Sequence, residues 1–347
     1  MRLLIIGGTG HFSGRITERT IAEGHEVTLY NRGRRPLPPG VNVPVIRGER
    51  EELRAHADEI AALDPQAVVD SICYVPQQAE DLAALFGHAE RVVFISSVDV
   101  YGEDIGGVPV TEERDPMPVS PYGKGKLTCE QLLFEALGQA LTVFRPSHIL
   151  GRGFTTTSLW SRSPYLVDRV RKGKAIPAID GGRNLMTPVY AADAAEWVVR
   201  ALTDLAASGQ VFNAVGREIV PQERYYQAVA DALDAELRLV TVPSPVFMRR
   251  FARPPQFNWH RPYSCKKAVD LLGYAPQATI ESMVRETVEH MIAHDLVRDC
   301  AEDPFDDQLV ELLLRHEGEL ETLLGLRAAG NIPPLLQRSA GKMPSLL

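Results

Sequence analysis

A chain of 347 residues has room for one large or two modest units and can bury about three quarters of its unfolded surface, so it needs no covalent staples. Its 45% hydrophobic and 24% charged residues are globular proportions, which exclude disorder and coiled coil. A net charge of −8 argues against a nucleic-acid partner held by a broad basic face.

The chain opens on an apolar run, residues 3–6, that is too short for a signal core or a membrane span. Cys73, Cys129, Cys265 and Cys300 are widely spaced with no CxxC pair, so no disulfide framework or sequence-evident metal site is expected. Both features predict a cytoplasmic protein with no membrane partner.

Strands are predicted at residues 2–6, 26–30, 43–46, 67–72, 92–96 and 141–144, separated by helical segments at 14–23, 58–63, 79–86 and 126–137. Continuous rather than alternating apolar strands imply a sheet covered on both faces. The fold class is therefore α/β, a Rossmann-type doubly wound parallel sheet with its ligand at the carboxyl ends of the strands. After Arg145 the rhythm breaks. Helices at 166–171, 191–202, 222–233 and 280–292 and strands at 211–214 and 237–242 suit a smaller C-terminal substrate lobe. A last helix at 307–329, with leucines at 309, 312, 313, 320, 323 and 324, reads as an added packing element or a subunit contact. The expected organisation is a dinucleotide-binding unit over 1–150 with returning segments from about 185–215, a substrate lobe over 151–293 and a helical extension over 294–347.

The strongest local signal is Gly7-Gly8-Thr9-Gly10-His11-Phe12-Ser13-Gly14, directly after the first strand and opening a helix. Such glycines allow a tight turn and let backbone N–H groups reach a pyrophosphate. Gly7 and Gly10 fit a GxxGxxG spacing, and Ser13 stands where the third glycine is expected. Gly7, Thr9, Gly10, His11, Phe12 and Ser13 are the candidate pyrophosphate turn. At the end of strand two, an NAD site wants an acid for the ribose 2′-OH, but the chain has Asn31 and Arg32. Asn31 would not repel a 2′-phosphate and Arg32 could pair with one, so NADP is favoured over NAD. Arg34 and Arg35 follow as a basic loop, and Glu49, after strand three, is a candidate for the adenine edge.

Ser96 and Ser97 end the fifth strand, and Tyr122 and Lys126 lie four apart further on, on one face if they share a helix. An ammonium beside a phenol stabilises phenolate and should lower its pKa toward working pH. Ser97, Tyr122 and Lys126 together suit proton movement coupled to hydride transfer.

These motifs resemble the extended short-chain dehydrogenase/reductases, the NAD-dependent epimerase/dehydratase group, over roughly residues 1–293. Gly7-Gly8-Thr9-Gly10, Ser96-Ser97-x-x-Val100-Tyr101-Gly102, Pro121-Tyr122-Gly123-Lys124-x-Lys126 and Arg145-Pro146 carry the likeness, with the stretches around Asp193 and from Lys267 to Pro276. The resemblance implies that Ser97, Tyr122 and Lys126 are catalytic, that Lys126 also bonds the nicotinamide ribose, and that Ser71, Ile72, Cys73, Ser96 and Pro146 line the dinucleotide. It further implies a sugar-like or nucleotide-sugar substrate.

The departures bear on substrate. The acid pair that sugar dehydratases carry after the catalytic hydroxyl is here Val98 and Asp99, leaving Asp99 as a spare acid/base candidate. The family's Asn after strand six is His148, a candidate substrate contact or proton carrier. The Arg before the Asp193 motif is replaced by Met186, with Arg183 nearby; Arg249, Arg250, Arg253 and Arg261 are alternative phosphate ligands. The short link from Cys73 to Arg91 resembles the branch containing stem-loop RNA-binding proteins and leaves little room for the long helix that many relatives use for dimerisation, so a homodimer is expected only by another route than the usual long-helix bundle. Three functions follow: oxidoreductase or epimerase on a secondary alcohol of a sugar-like substrate, NADPH-dependent reductase of a non-sugar ketone, or non-catalytic RNA- or protein-binding member of the same fold.

Overall fold

The computed structural model describes residues 1–104, 106–159, 162–245 and 259–328. Strands β1 (Arg2–Ile6), β2 (Glu26–Asn31), β3 (Val45–Arg47), β4 (Ala67–Asp70), β5 (Arg91–Ile95) and β6 (Leu141–Pro146) come first. The short strands β7 (Ile149–Leu150), β8 (Ile176–Ile179), β9 (Leu185–Met186) and β10 (Val189–Tyr190) follow, then β11 (Gln210–Ala214), β12 (Val220–Pro221) and β13 (Leu239–Val242). The helices α1 (His11–Ala22), α2 (Ala57–Leu63), α3 (Pro76–Phe86), α4 (Pro121–Leu137) and α6 (Ala191–Thr203) cover the main sheet, while α5 (Leu166–Arg171) and α7 (Gln222–Asp231) pack with β8 away from it.

Seven strands form one parallel sheet in the order β11-β6-β5-β4-β1-β2-β3. The order reverses between β1 and β4, and a crevice at the carboxyl ends of strands opens at such a switch point. The segment predicted at 211–214 is the seventh strand, β11, paired with β6 from Gln210↔Thr142 to Ala214↔Pro146. Its backbone bonds pair the far side of β6, and β11 becomes the outer strand at that end of the sheet.

Strand alternation explains why both faces are apolar. Leu3 and Ile5 pack with Ile16, Leu29, Trp197 and Val198 under α1 and α6. Leu4 and Ile6 join Leu82, Phe86, Phe94 and Leu133 under α3 and α4. Each such side chain, fully removed from water, stabilises the fold by about 1.5–3 kcal/mol before entropy is counted. A third cluster, around Val167, Ile176, Tyr225, Tyr226, Met283 and Val288, lies among α5, α7, β8 and the helix Ile280–Ala293.

Several motif residues are braces. Arg145 makes a two-pronged pair with Glu130 (Nε–Oε1 3.0 Å, Nη2–Oε2 2.5 Å) and donates to the Tyr101 hydroxyl at 2.9 Å, tying β6 to α4. Asp193 accepts from the Tyr274 hydroxyl and from the backbone of Gln277 and Ala278, anchoring the segment before Ile280–Ala293. Buried charges in such places are tolerable because each is hydrogen-bonded.

The C-terminal helix, Phe305–Ala328, packs back on its own chain. Leu309 and Leu313 meet Leu159, Ile179 and Val242, while Asp307 pairs with Arg169 at 2.8 Å and Lys174 at 2.5 Å. Residues 329–347 of the expected extension lie outside the described residues. No described helix is long and apolar enough to cross a membrane.

Candidate active site

The first crevice is built by the β1–α1 turn. Gly7 has φ +110°, and a Cβ there would sit 2.4 Å from the Ser71 hydroxyl, so no other side chain fits. Gly10 caps α1 without a side chain, and its N–H donates to Ser13 Oγ at 3.0 Å. Ser13 thus supplies a cap at the place of the third glycine, while Gly14 lets α1 approach Pro38. The first-turn N–H groups of a helix have no intrahelical acceptor, which suits this end to an anion. A crevice of about 360 Å³ results, lined by Gly7, Thr9, Gly10, Phe12, Ser13, Asn31, Arg32, Arg34, Arg35, Ser71, Ile72 and Tyr74. Its small-residue floor and basic rim fit a dinucleotide.

Asn31 is committed to the turn itself: Nδ2 donates to Gly7 O at 3.1 Å and Oδ1 accepts from Gly33 N at 2.8 Å. Arg32 and Arg34 both reach Glu49, at 3.8 Å and 2.5 Å. Glu49 is thus the counter-charge of the rim arginines and is not among the crevice's lining residues, the place expected of an adenine-edge contact. Cys73 also departs from expectation. Its side chain is buried in the core and only its carbonyl faces the site, with Tyr74 taking the lining position. His11 turns the other way, under the loop at 151–154, with its ring 5.4 Å from that of Phe154. Burial, aided by Arg35 and Arg162, pushes its pKa down to about 4.

The second crevice, about 350 Å³, adjoins the ends of β5 and β6 and is lined by Ser96, Ser97, Asp99, Tyr122, Pro146, Ser147, His148, Arg162, Met186, Thr187, Arg261 and Tyr263, among others. Helix α4 starts at Pro121, earlier than the predicted residue 126, because Ser120 caps it by accepting Gly123 N at 2.8 Å. Tyr122 and Lys126 therefore occupy successive turns of one helix. Ser97 caps the short 3-10 helix Val98–Tyr101 through Asp99 N at 3.2 Å, which fixes its hydroxyl at the strand end.

Lys126 is 1% exposed and donates to two carbonyls, Cys73 O and Ile95 O, each at 2.7 Å. Its ammonium also lies 4.5 Å from the Tyr74 ring centroid, 4.9 Å from that of Phe94 and 5.9 Å from that of Tyr122. Burial pulls its pKa down to about 8. The expected depression of the phenol is not produced by these groups. Tyr122 keeps 47% of its surface open, but desolvation between the cleft walls, with Tyr74 and Asp99, pushes its pKa up to about 12, and nearby Ser97 offsets only part of this.

Asp99 accepts from the Ser120 hydroxyl and faces Arg261 Nη1 at 3.5 Å. His148 Nε2 lies 2.9 Å from Thr157 Oγ1. Burial, with Arg162 and Arg261, pushes its pKa down to about 3, so it is a neutral contact rather than a proton carrier near pH 7. Arg183 is exposed and outside the lining residues; Arg162, from the preceding loop, stands in the wall instead. Arg249, Arg250 and Arg253 lie outside the described residues. Tyr74, Arg162 and Tyr263 were not legible as site residues. Only Tyr74 had a sequence signal, its place directly after Ser71–Cys73 and before the Pro76 helix start.

The sequence is 28% identical over 250 residues to 2′-dehydrokanamycin reductase of Streptomyces kanamyceticus, covering 70% of each chain. It is 24% identical over 327 residues to the chloroplast stem-loop binding protein of 41 kDa b of Arabidopsis thaliana, covering 89% of this chain and 84% of that one. Among solved structures, the UDP-glucose 4-epimerase of Thermotoga maritima with UDP-glucose superposes with a TM-score of 0.70 at 18% identity, over 85% of this chain and 99% of that one. The dTDP-glucose 4,6-dehydratase of Bacillus anthracis in complex with NAD gives 0.70 at 18%, over 85% and 97%. The profile of the NAD-dependent epimerase/dehydratase family matches residues 3–214, which carry the glycine turn, β5 and α4, and the chain is an NAD-dependent enzyme of that family.

Proposed function

We propose that the protein moves a proton and a hydride at a secondary alcohol or ketone of a sugar-like substrate, with Ser97, Tyr122 and Lys126 as its catalytic set. The carrying observation is that Tyr122 and Lys126 share one face of α4 beside Ser97, where the substrate cleft adjoins the dinucleotide crevice. Gly7, Thr9, Gly10, Phe12 and Ser13 would hold the pyrophosphate, with Ser71, Ile72 and Tyr74 along its side. Bound, an oxidised dinucleotide supplies a hydride acceptor and a positive charge that favours phenolate. Tyr122 then takes the hydroxyl proton on oxidation and returns it on reduction, and the Ser97 hydroxyl donates to the carbonyl oxygen that develops. Lys126, fixed by two carbonyls, holds ribose hydroxyls and favours the ionised phenol electrostatically.

NADP is the preferred cofactor in this reading: no acid ends β2, and Arg32 and Arg34 rim the crevice where a 2′-phosphate would lie. A ketone-reducing role is favoured by the likeness to 2′-dehydrokanamycin reductase, and an alcohol-inverting one by the likeness to UDP-glucose 4-epimerase. The deciding experiment is to denature the purified protein and identify the released nucleotide. Tightly retained NAD supports epimerisation, exchangeable NADP supports reduction, and failure to bind either overturns both.

A further inference from the structure

The segment from Trp259 to Tyr263 carries three polar groups that no other described residue uses. Its backbone is pinned from both sides: Arg261 N donates to Leu185 O at 2.7 Å, Tyr263 N to Thr187 Oγ1 at 3.0 Å, and Val110 N to Pro262 O at 2.7 Å. In such an extended stretch, alternate side chains share a face. The Arg261 guanidinium accordingly stacks 4.4 Å from the Trp259 ring. The Trp259 indole N–H, Arg261 Nε and the Tyr263 hydroxyl are all buried with no hydrogen-bond partner among the described residues. Tyr263 is 2% exposed, and it and Arg261 line the substrate cleft; Ser96 Oγ, on the same wall, is likewise unpartnered. Buried donors are costly unless something accepts from them, and beside a cleft that acceptor is water or a ligand that displaces it.

The charge of the wall says which ligand. The described carboxylate among the lining residues, Asp99, already takes the Ser120 hydroxyl and faces Arg261. Unmet donors beside a guanidinium, where the described carboxylate is already engaged, call for a group that only accepts, an oxyanion. Its distance from the reaction centre is short. Arg261 Nη1 is 3.5 Å from Asp99 Oδ1, and Asp99 N donates to Ser97 Oγ.

We propose that Arg261 and Tyr263 form a recognition edge for a carboxylate or phosphate borne by the sugar unit that reacts, with Tyr263 the specificity-determining contact. This rests on the proposed function for what reacts, but not for what binds. The edge selects oxyanion-bearing sugars over neutral ones.

The test is calorimetric titration of the full-length protein with glucuronate, glucose 6-phosphate and glucose, with NADP⁺ present. At least one anion should bind roughly tenfold or more tightly than glucose, as a charged hydrogen-bonded contact implies. Tyr263→Phe should lose most of that preference, with glucose unchanged, and Arg261→Lys should fall between. Preference for glucuronate or for the phosphate names the source of the oxyanion. Anions that bind no tighter than glucose, or a Tyr263→Phe variant with its preference intact, overturn the proposal. Thermal melts add a second readout. An unpartnered buried hydroxyl is no loss when removed, so a lower melting temperature for Tyr263→Phe would reveal a structural partner and overturn it too. A protein that prefers an anion yet turns over no sugar would refute the Ser97–Tyr122–Lys126 reading alone.

Discussion

The Ser120 hydroxyl donates to the carboxylate of Asp99 while accepting the backbone N–H of Gly123. One side chain thus caps the helix that carries Tyr122 and Lys126 and ties it to the turn that carries Ser97. Removing an N-cap hydroxyl costs about 1 kcal/mol of stability. Ser120→Ala should therefore show that loss in urea denaturation and a lower kcat, since Tyr122 and Ser97 lose their common reference. Ser120→Thr keeps both bonds and should restore most of each.

Tyr122→Phe removes only the phenolic oxygen. General acid–base groups contribute about a hundred- to ten-thousandfold, so kcat should drop by that range. NADP⁺ affinity should stay within a few-fold, because the ring still stands 6.3 Å from that of Tyr74 and the crevice is intact. Fluorescence titration with the cofactor and steady-state rates separate the two effects, and an unchanged rate would remove Tyr122 from its assigned role.

What the sequence made legible was whatever depends on local pattern. The run of apolar strands announced the parallel sheet, and the glycines after β1 announced the crevice, since both are set by residues within a few positions of each other. Helix starts were read late, at 14, 79 and 126 rather than 11, 76 and 121, because their first turns are polar or contain proline and lie outside the apolar stripe. Tyr263 had no local mark at all. Its place in the cleft comes from a bond to Thr187, 76 residues away. The places of Glu49 and Arg183 are left open by sequence for a related reason: a charged residue near a strand end can face the ligand, a neighbouring charge or water. Only the Arg32–Glu49–Arg34 cluster decides the first case, and exposure the second.

That cluster makes cofactor choice testable. Glu49 competes with a 2′-phosphate for Arg32 and Arg34, on side chains that are about half exposed, so each contact is modest. Arg32→Ala should weaken NADPH by roughly tenfold, the scale of one lost charged contact, while NADH changes little. Glu49→Gln should do the reverse, tightening NADPH by freeing both guanidinium groups. Equal changes for the two coenzymes in a filtration or fluorescence binding assay would show that the rim reads no phosphate.

The buried ammonium of Lys126 leaves a signature in stability against pH. Burial lowers its pKa from 10.5 to about 8, so the folded protein gives up this proton before the unfolded chain does. Between those values the unfolded state binds more protons, and stability from this group must rise with pH. Below about pH 8 its penalty is constant, and above 10.5 it is gone. Tyr122 acts in the opposite sense: its pKa is raised to about 12, so its contribution is full below pH 10 and is lost as pH climbs through 12. The histidines His11 and His148 have finished titrating well below pH 8, but Cys73, Cys265 and Cys300, raised from 9.0, and Lys267, lowered from 10.5, also contribute between pH 8 and 10, so the lysine is read as the difference between the wild type and a variant that lacks it. Lys126→Met also strips Cys73 O and Ile95 O of their donor, an offset that does not vary with pH. Denaturant melts of both proteins should give a wild-type curve that climbs relative to the variant across this window. Parallel curves would mean that Lys126 keeps its proton there, and with it a fixed charge beneath Tyr74 and Tyr122.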